Sequence, residues 1–193
     1  ILLVGEGDLS YTRSLVEVHC PPSIVSTTYD TLSVLEEKYP STVQANITAI
    51  LAADPDAVLL HGVDATRLSA TKGLKGRKFD RVVFNFPHVG GKSTDVNRQV
   101  RYNQELLVGF FTSAQPLMAD GATVVVTLFE GEPYTLWNVR DLGRHAGLDV
   151  VRSFRFDAGL YPGYSHARTL GQVEGGGGWK GEDREARSYV FRK

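Results

Sequence analysis

Among 193 residues there is a single cysteine, Cys20. It excludes an internal disulfide and a cysteine-based zinc site, and the usage suits a reducing, intracellular compartment. Cys20 stands before Pro21-Pro22 at the expected end of a helix, where a small buried hydrophobe is expected rather than a nucleophile. No apolar run approaches the ~18 residues that span a bilayer, so no membrane partner is expected. A basic segment leading into an apolar stretch and a cleavage site is also missing. The chain opens on Ile1-Leu2-Leu3-Val4 without a Met, so native residues before it are expected to have been removed. Nor is charge of one sign in excess: the formal net charge is −1, which gives no global attraction for nucleic acid. Positive charge is local, at Lys72, Lys75, Arg77 and Lys78 and again at Lys92, Arg98 and Arg101. Each group reads either as a solvated loop or helix end or as a nucleic-acid contact.

What is present is ordinary for a globular protein: 42% hydrophobic and 22% charged residues, in a length that fits one domain over 1–193. Short apolar runs alternate with helical patterns, the mark of βαβ units and a parallel sheet. Strands are expected at residues 1–5, 24–28, 57–63, 81–86, 123–129, 149–156 and 188–192. Helices are expected near 10–18, 30–38 with Asp30 as N-cap, 42–53, 97–119 and 135–146. In the longest of these, Leu106, Leu107, Phe110, Phe111, Ala114 and Leu117 fall on one broad face. The class is therefore α/β, a doubly wound, mostly parallel seven-stranded sheet. A Gly-rich loop is expected at about 171–185, around Glu174 to Trp179.

In such a sheet ligands bind beyond the carboxyl ends of the strands, where strand order reverses. After strand one comes Gly5-Glu6-Gly7-Asp8-Leu9-Ser10, two glycines that permit a tight turn and close approach of a ligand to the backbone. Ser10 occupies the place of the third glycine of a dinucleotide fingerprint, which disfavours a nicotinamide cofactor. Asp30 follows strand two, placed for ribose hydroxyls, or simply for capping a helix. Asp64, with Ala65, follows strand three, within reach of an adenine. Three such elements at successive strand ends favour an adenosine-containing ligand. Strand four ends in Asn85-Phe86-Pro87-His88-Val89-Gly90. Asn85 offers an amide donor and a carbonyl acceptor, Pro87 stiffens the loop, and the His88 ring can stack on a base or take a proton. Gly90-Gly91-Lys92-Ser93 lacks the upstream glycine of a phosphate-binding loop and is rejected as one. Tyr134, in Glu132-Pro133-Tyr134-Thr135-Leu136-Trp137, and the pair in Tyr161-Pro162-Gly163-Tyr164 join rings to a restricted backbone, a combination suited to stacking an extruded base or to local packing. No metal ligand set is expected.

The string Phe84-Asn85-Phe86-Pro87-His88-Val89-Gly90 resembles the eukaryotic Rossmann-like methyltransferases that modify N3 of a uridine in large-subunit rRNA. So do Leu3 to Ser10, Thr28-Tyr29-Asp30, Lys38-Tyr39-Pro40, Gly62 to Thr66, Pro133-Tyr134 with Trp137, and Tyr161 to Tyr164. Leu9 and Tyr11 depart from the more usual Phe. The resemblance implies S-adenosyl-L-methionine as cofactor, RNA as partner, rRNA base methylation as activity, and a nuclear or nucleolar location. The cofactor is then expected on Gly5, Glu6, Gly7, Asp30, Asp64 and Ala65. Asn85, Pro87 and His88 are the expected catalytic residues, with His88 the candidate general base. Phe86, Tyr134, Tyr161 and Tyr164 are expected to hold the base. A non-catalytic RNA-binding or ribosome-assembly module and a small-molecule methyltransferase remain as alternatives. Oligomeric state is not encoded in any pattern of the chain.

Overall fold

The computed structural model describes residues 1–167 and 181–193; the segment Glu174 to Trp179 and most of the expected glycine-rich loop lie outside them. Seven strands form one sheet: β1 (Leu2–Val4), β2 (Val25–Thr27), β3 (Val58–Leu60), β4 (Phe79–Asn85), β5 (Met118–Phe129), β6 (Asp149–Arg155) and β7 (Ala186–Arg192). Their order is β3-β2-β1-β4-β5-β7-β6. Pairing is parallel from β3 across to β5, and β7 inserts antiparallel to both β5 and β6. Strand order reverses at β1, whose two neighbours are β2 and β4.

The apolar stretches of β1, β4 and β5 follow from their two covered faces. In β1, Leu2 and Val4 point into one core and Leu3 into the other, as the two-residue period of a strand requires. The first core is closed by α4 (Val96–Ala114), α5 (Val139–His145) and a 3₁₀ turn at Ala65–Ala70. Leu107, Phe110, Phe111 and Ala114 of α4 are fully buried there, the face its periodicity foretold. Burial of such large side chains contributes about 1.5–3 kcal/mol each. The opposite core is closed by α1 (Ser10–Ser14) and α3 (Val43–Ala53), with α2 (Leu32–Lys38) at the β2 end.

Several local details differ from the sequence expectation. The long helix stops at Ala114, and Gln115–Leu117 form a 3₁₀ turn, because Pro116 cannot donate the hydrogen bond that would continue it; β5 then starts at Met118. The helix expected over 135–146 is two pieces, a 3₁₀ turn at Tyr134–Trp137 and α5, separated by Asn138 in the left-handed region at φ 52°. The first helix loosens into a π turn at Leu15–His19 and ends on Cys20 at φ 44°. That left-handed cap turns Cys20 outward, so it is exposed rather than buried. Asp30 does not cap α2; Thr31 occupies that position, and the Asp30 carboxylate is drawn instead to Lys38, 2.6 Å away at the other end of the helix.

Candidate active site at the strand carboxyl ends

A cleft of about 740 Å³ opens where the strand order reverses, at the carboxyl ends of β1, β2, β4 and β5. That volume lies in the ordinary range for small-molecule and cofactor sites. Its walls bring together Gly5, Glu6, Gly7, Asp30, Asp64, Ala65, Asn85, Phe86, His88, Tyr134 and Tyr164.

The floor is the turn after β1. Gly5 has φ +68°, and a Cβ there would lie 2.4 Å from Cε2 of Phe84. Only glycine fits. A Cβ on Gly7 would lie 2.6 Å from that of Ala167, so this turn is also packed from above. The Glu6 backbone N–H donates to the Thr27 carbonyl at 2.8 Å, tying the turn to β2. Its carboxylate accepts from Thr12 N at 3.1 Å and Thr12 Oγ1 at 2.9 Å. Burial pushes this carboxyl up to about 7 despite those donors. Asp8, also raised by burial, accepts from Ser10 N at 3.0 Å and so closes the turn that leads into α1.

Asp30 and Asp64 stand on the β2 and β3 loops, which are sewn together: Gly62 N donates to Asp30 O at 3.0 Å and Val63 N to Thr28 O at 2.9 Å. Asp64 Oδ1 accepts from Thr66 N at 2.8 Å and Thr66 Oγ1 at 2.7 Å, which starts the 3₁₀ turn. Both aspartates thus have one oxygen anchored by the protein. Val63, Ala65 and Leu106 supply an apolar wall next to them.

The β4 loop is built with strain. Phe86 has φ 52°, a conformation that costs a bulky residue about 1–3 kcal/mol. It is held there by Phe86 N donating to Thr127 O at 2.8 Å. Asn85 Oδ1 accepts from Thr127 Oγ1 at 2.7 Å, and Thr127 Oγ1 is 2.8 Å from Ser188 Oγ. His88 Nδ1 accepts from Gly90 N at 2.9 Å, and burial lowers its pKa. Val89 N donates to Asn103 Oδ1 at 3.0 Å, and Gln99 holds the Gly90 carbonyl, so α4 fixes the rest of the loop. Pro87 is buried beneath the loop and does not line the cleft, consistent with stiffening rather than contact.

Aromatic rings divide into two sets. Phe86 packs on Phe129 at 4.5 Å and on His166 at 4.6 Å between centroids, and Tyr134 joins through Phe129 at 5.4 Å. These line the cleft. Tyr161 does not: it packs on Tyr11 at 4.6 Å and stacks on Phe156 at 5.5 Å, in the core below, leaving its edge on a separate depression. Tyr164 bridges the two, its hydroxyl 3.0 Å from His166 Nδ1. Burial pushes the Tyr11 and Tyr164 hydroxyls up and pulls His166 down to about 4, which leaves that imidazole neutral.

Tyr29, Lys38, Tyr39, Phe129 and His166 also line the cleft and were not among the expected site residues. Tyr29 carried a signal, being an aromatic beside Asp30 that is 72% exposed. Phe129 and His166 carried none, since each reads alone as strand end or loop.

The two positive groups separate in space. Lys92 lines the cleft, and Arg98 and Arg101 follow on the first turns of α4. Lys78 donates to the carbonyls of Pro116 and Met118 at 2.9 and 3.3 Å, at the amino end of β4, away from the cleft.

The family model of BMT5-like rRNA (uridine-N3-)-methyltransferases matches residues 2–168. The chain is 28% identical over its full length to the 25S rRNA (uridine(2634)-N(3))-methyltransferase of Saccharomyces cerevisiae, of which it spans 72%. It is 37% identical, over 89% of its length, to the heavy metal-associated isoprenylated plant protein 41 of Arabidopsis thaliana, but spans only 33% of that protein. In fold it is similar to the glycopeptide N-methyltransferase MtfA complexed with S-adenosyl-L-methionine, with TM-score 0.60, 12% identity, and coverage of 99% of this chain and 80% of that one. The sheet is thus that of Rossmann-like methyltransferases. Among the described residues no helix is long and apolar enough to cross a membrane.

Proposed function

Because the chain belongs to the BMT5-like rRNA (uridine-N3-)-methyltransferase family, we propose that it methylates N3 of a uridine in large-subunit rRNA, using S-adenosyl-L-methionine. The observation that carries this reading is convergence. The glycine turn, two aspartates and the Asn85–His88 loop come from four strands and line one cleft.

The donor set fits the cofactor. Gly5 and Gly7 leave a surface without Cβ atoms, the Asp30 carboxylate can accept from vicinal ribose hydroxyls, and Val63, Ala65 and Leu106 offer an apolar wall to an adenine edge read near Asp64. When bound, the cofactor supplies a methyl group on a sulfonium sulfur, which departs as a neutral thioether as the N–C bond forms. Everything else falls to the chain. Phe86, Phe129 and Tyr134 provide an aromatic wall for an extruded base. Asn85 is oriented by Thr127 toward the base edge. Holding nitrogen and methyl in line supplies much of the rate. The N3 proton must leave before or during transfer. Lys92, Arg98 and Arg101 offer phosphate contacts beside the cleft mouth. A nuclear or nucleolar location fits an rRNA substrate.

The test is calorimetric titration with S-adenosyl-L-methionine, with NADH as control, followed by nucleoside mass spectrometry of an unmodified large-subunit rRNA transcript after incubation. Micromolar binding of the first ligand alone and appearance of N3-methyluridine are expected. A folded protein that binds RNA but not the cofactor would favour the non-catalytic module instead.

A further inference from the structure

The polar groups on the β4 loop have defined hydrogen-bonding sense. His88 Nδ1 accepts from the Gly90 backbone N–H at 2.9 Å. An imidazole whose Nδ1 is an acceptor carries its proton on Nε2, so what it offers to the cleft is a donor. Partial burial against the loop lowers its pKa, which favours this neutral form. Trp137 flanks the imidazole with its ring centroid 6.0 Å away. Asn85 is constrained in the same sense. Its carbonyl oxygen accepts from the Thr127 hydroxyl at 2.7 Å, which leaves the amide two N–H donors, one hydrogen-bonded to the Tyr11 hydroxyl and one for the cleft. Both residues line the same cleft.

Two donors at a base-binding loop match one pyrimidine and not the other. The edge of uracil presents an acceptor, a donor and an acceptor: O4, N3–H and O2. Cytosine replaces the first acceptor with an amine donor. Resting on the uridine reading given above, we propose that Asn85 and His88 are paired donors to the two carbonyl oxygens flanking N3, that they select uracil over cytosine, and that His88 is not the proton acceptor. As the N3 proton leaves, its charge spreads onto O2 and O4, where these donors stabilise it. Donors placed where charge develops also make N3–H easier to ionise. The proton then passes to solvent water or hydroxide, with no side chain required to keep it. A cytosine in the same place would set its amine against a donor, leaving that donor unpaired beneath the bound base.

Three variants separate donor from base. Glutamine places an amide N–H near the position of Nε2 but cannot accept a proton at neutral pH; asparagine is too short to do so, and alanine offers nothing. N3-methyluridine and N3-methylcytidine are quantified by mass spectrometry after incubation of the full chain, S-adenosyl-L-methionine and an unmodified large-subunit rRNA transcript. The expected result for His88→Gln is a rate within about 5-fold of wild type, while His88→Asn and His88→Ala fall by about 10- to 100-fold, the range for losing one such hydrogen bond. N3-methylcytidine is expected to stay undetectable with wild type. Circular dichroism melts of each variant report folding independently of rate. If His88→Gln is as slow as His88→Ala while wild type is active, His88 is the base and the pairing is wrong. Comparable methylation of cytidine by wild type would also overturn it. Absence of N3-methyluridine with cofactor-bound wild type would instead refute the uridine reading on which the pairing rests.

Discussion

Replacing Gly5 by alanine tests whether the cleft floor is built as described. Two costs are expected. An alanine at φ +68° enters the left-handed region, at about 1–2 kcal/mol. Its Cβ would lie 2.4 Å from Phe84 Cε2, and the ring has little room to retreat, because it meets Phe110 edge-on at 5.0 Å and Phe110 is fully buried. Overpacking of that kind costs about 1–3 kcal/mol. The sum is roughly 2–5 kcal/mol, and at about 2–4 °C per kcal/mol for a domain of this size Tm should fall by roughly 5–15 °C. The control is Gly76→Ala, at φ +79° with nothing within 4 Å, which bears only the backbone cost. Melts followed by circular dichroism, with and without S-adenosyl-L-methionine, give both stability and cofactor response. Gly5→Ala should lose more stability than the control and also lose most of the cofactor-induced rise in Tm. Equal shifts for the two variants would refute the Phe84 contact. A preserved cofactor response would refute the assignment of this turn to cofactor binding.

Glu6 makes a pH prediction. Its carboxyl ionises near 7 in the fold against 4.5 when free, so the folded state holds its proton more tightly. That contribution is fully present below pH 4.5 and lost as pH rises through 7, amounting to at most about 3 kcal/mol. Glu6→Gln should therefore match wild type in denaturant melts at pH 4.5 and exceed it in stability at pH 8; a gap that does not widen with pH sinks the assignment. The basic groups make another. Lys92→Ala with Arg98→Ala should raise KM for rRNA several-fold and reduce its salt dependence, whereas Lys75→Ala with Arg77→Ala, in the loop entering β4 from the opposite end, should leave KM within about 2-fold; the reverse outcome would move the RNA path to the other end of the sheet.

Much of this protein was written in local sequence. Apolar runs marked the inner strands β1 and β5, which are covered on both faces, while the edge strand β6, largely exposed, showed itself by Val150, Val151 and Phe154 among polar residues. The i, i+4 stripe from Leu107 to Ala114 fixed the buried face of α4. Glycines at 5 and 7, aspartates at 30 and 64, and the Asn85–His88 string marked strand ends, and the switch-point rule was enough to expect them in one cleft. Tertiary structure decided what depends on groups distant in the chain. The insertion of β7 between β5 and β6 requires pairing energies that no local pattern carries. Asp30 looked like a helix cap until Lys38 closed on it from the far end of α2. Tyr161 and Tyr164 looked alike, three residues apart, yet Tyr161 stacks flat on Phe156 and misses the cleft, while Tyr164 meets the same ring edge-on and reaches it. The sense of the β4 donors was likewise hidden, since an amide can present either end and an imidazole either nitrogen. Thr127, 42 residues from Asn85, and the backbone N–H of Gly90 chose between them.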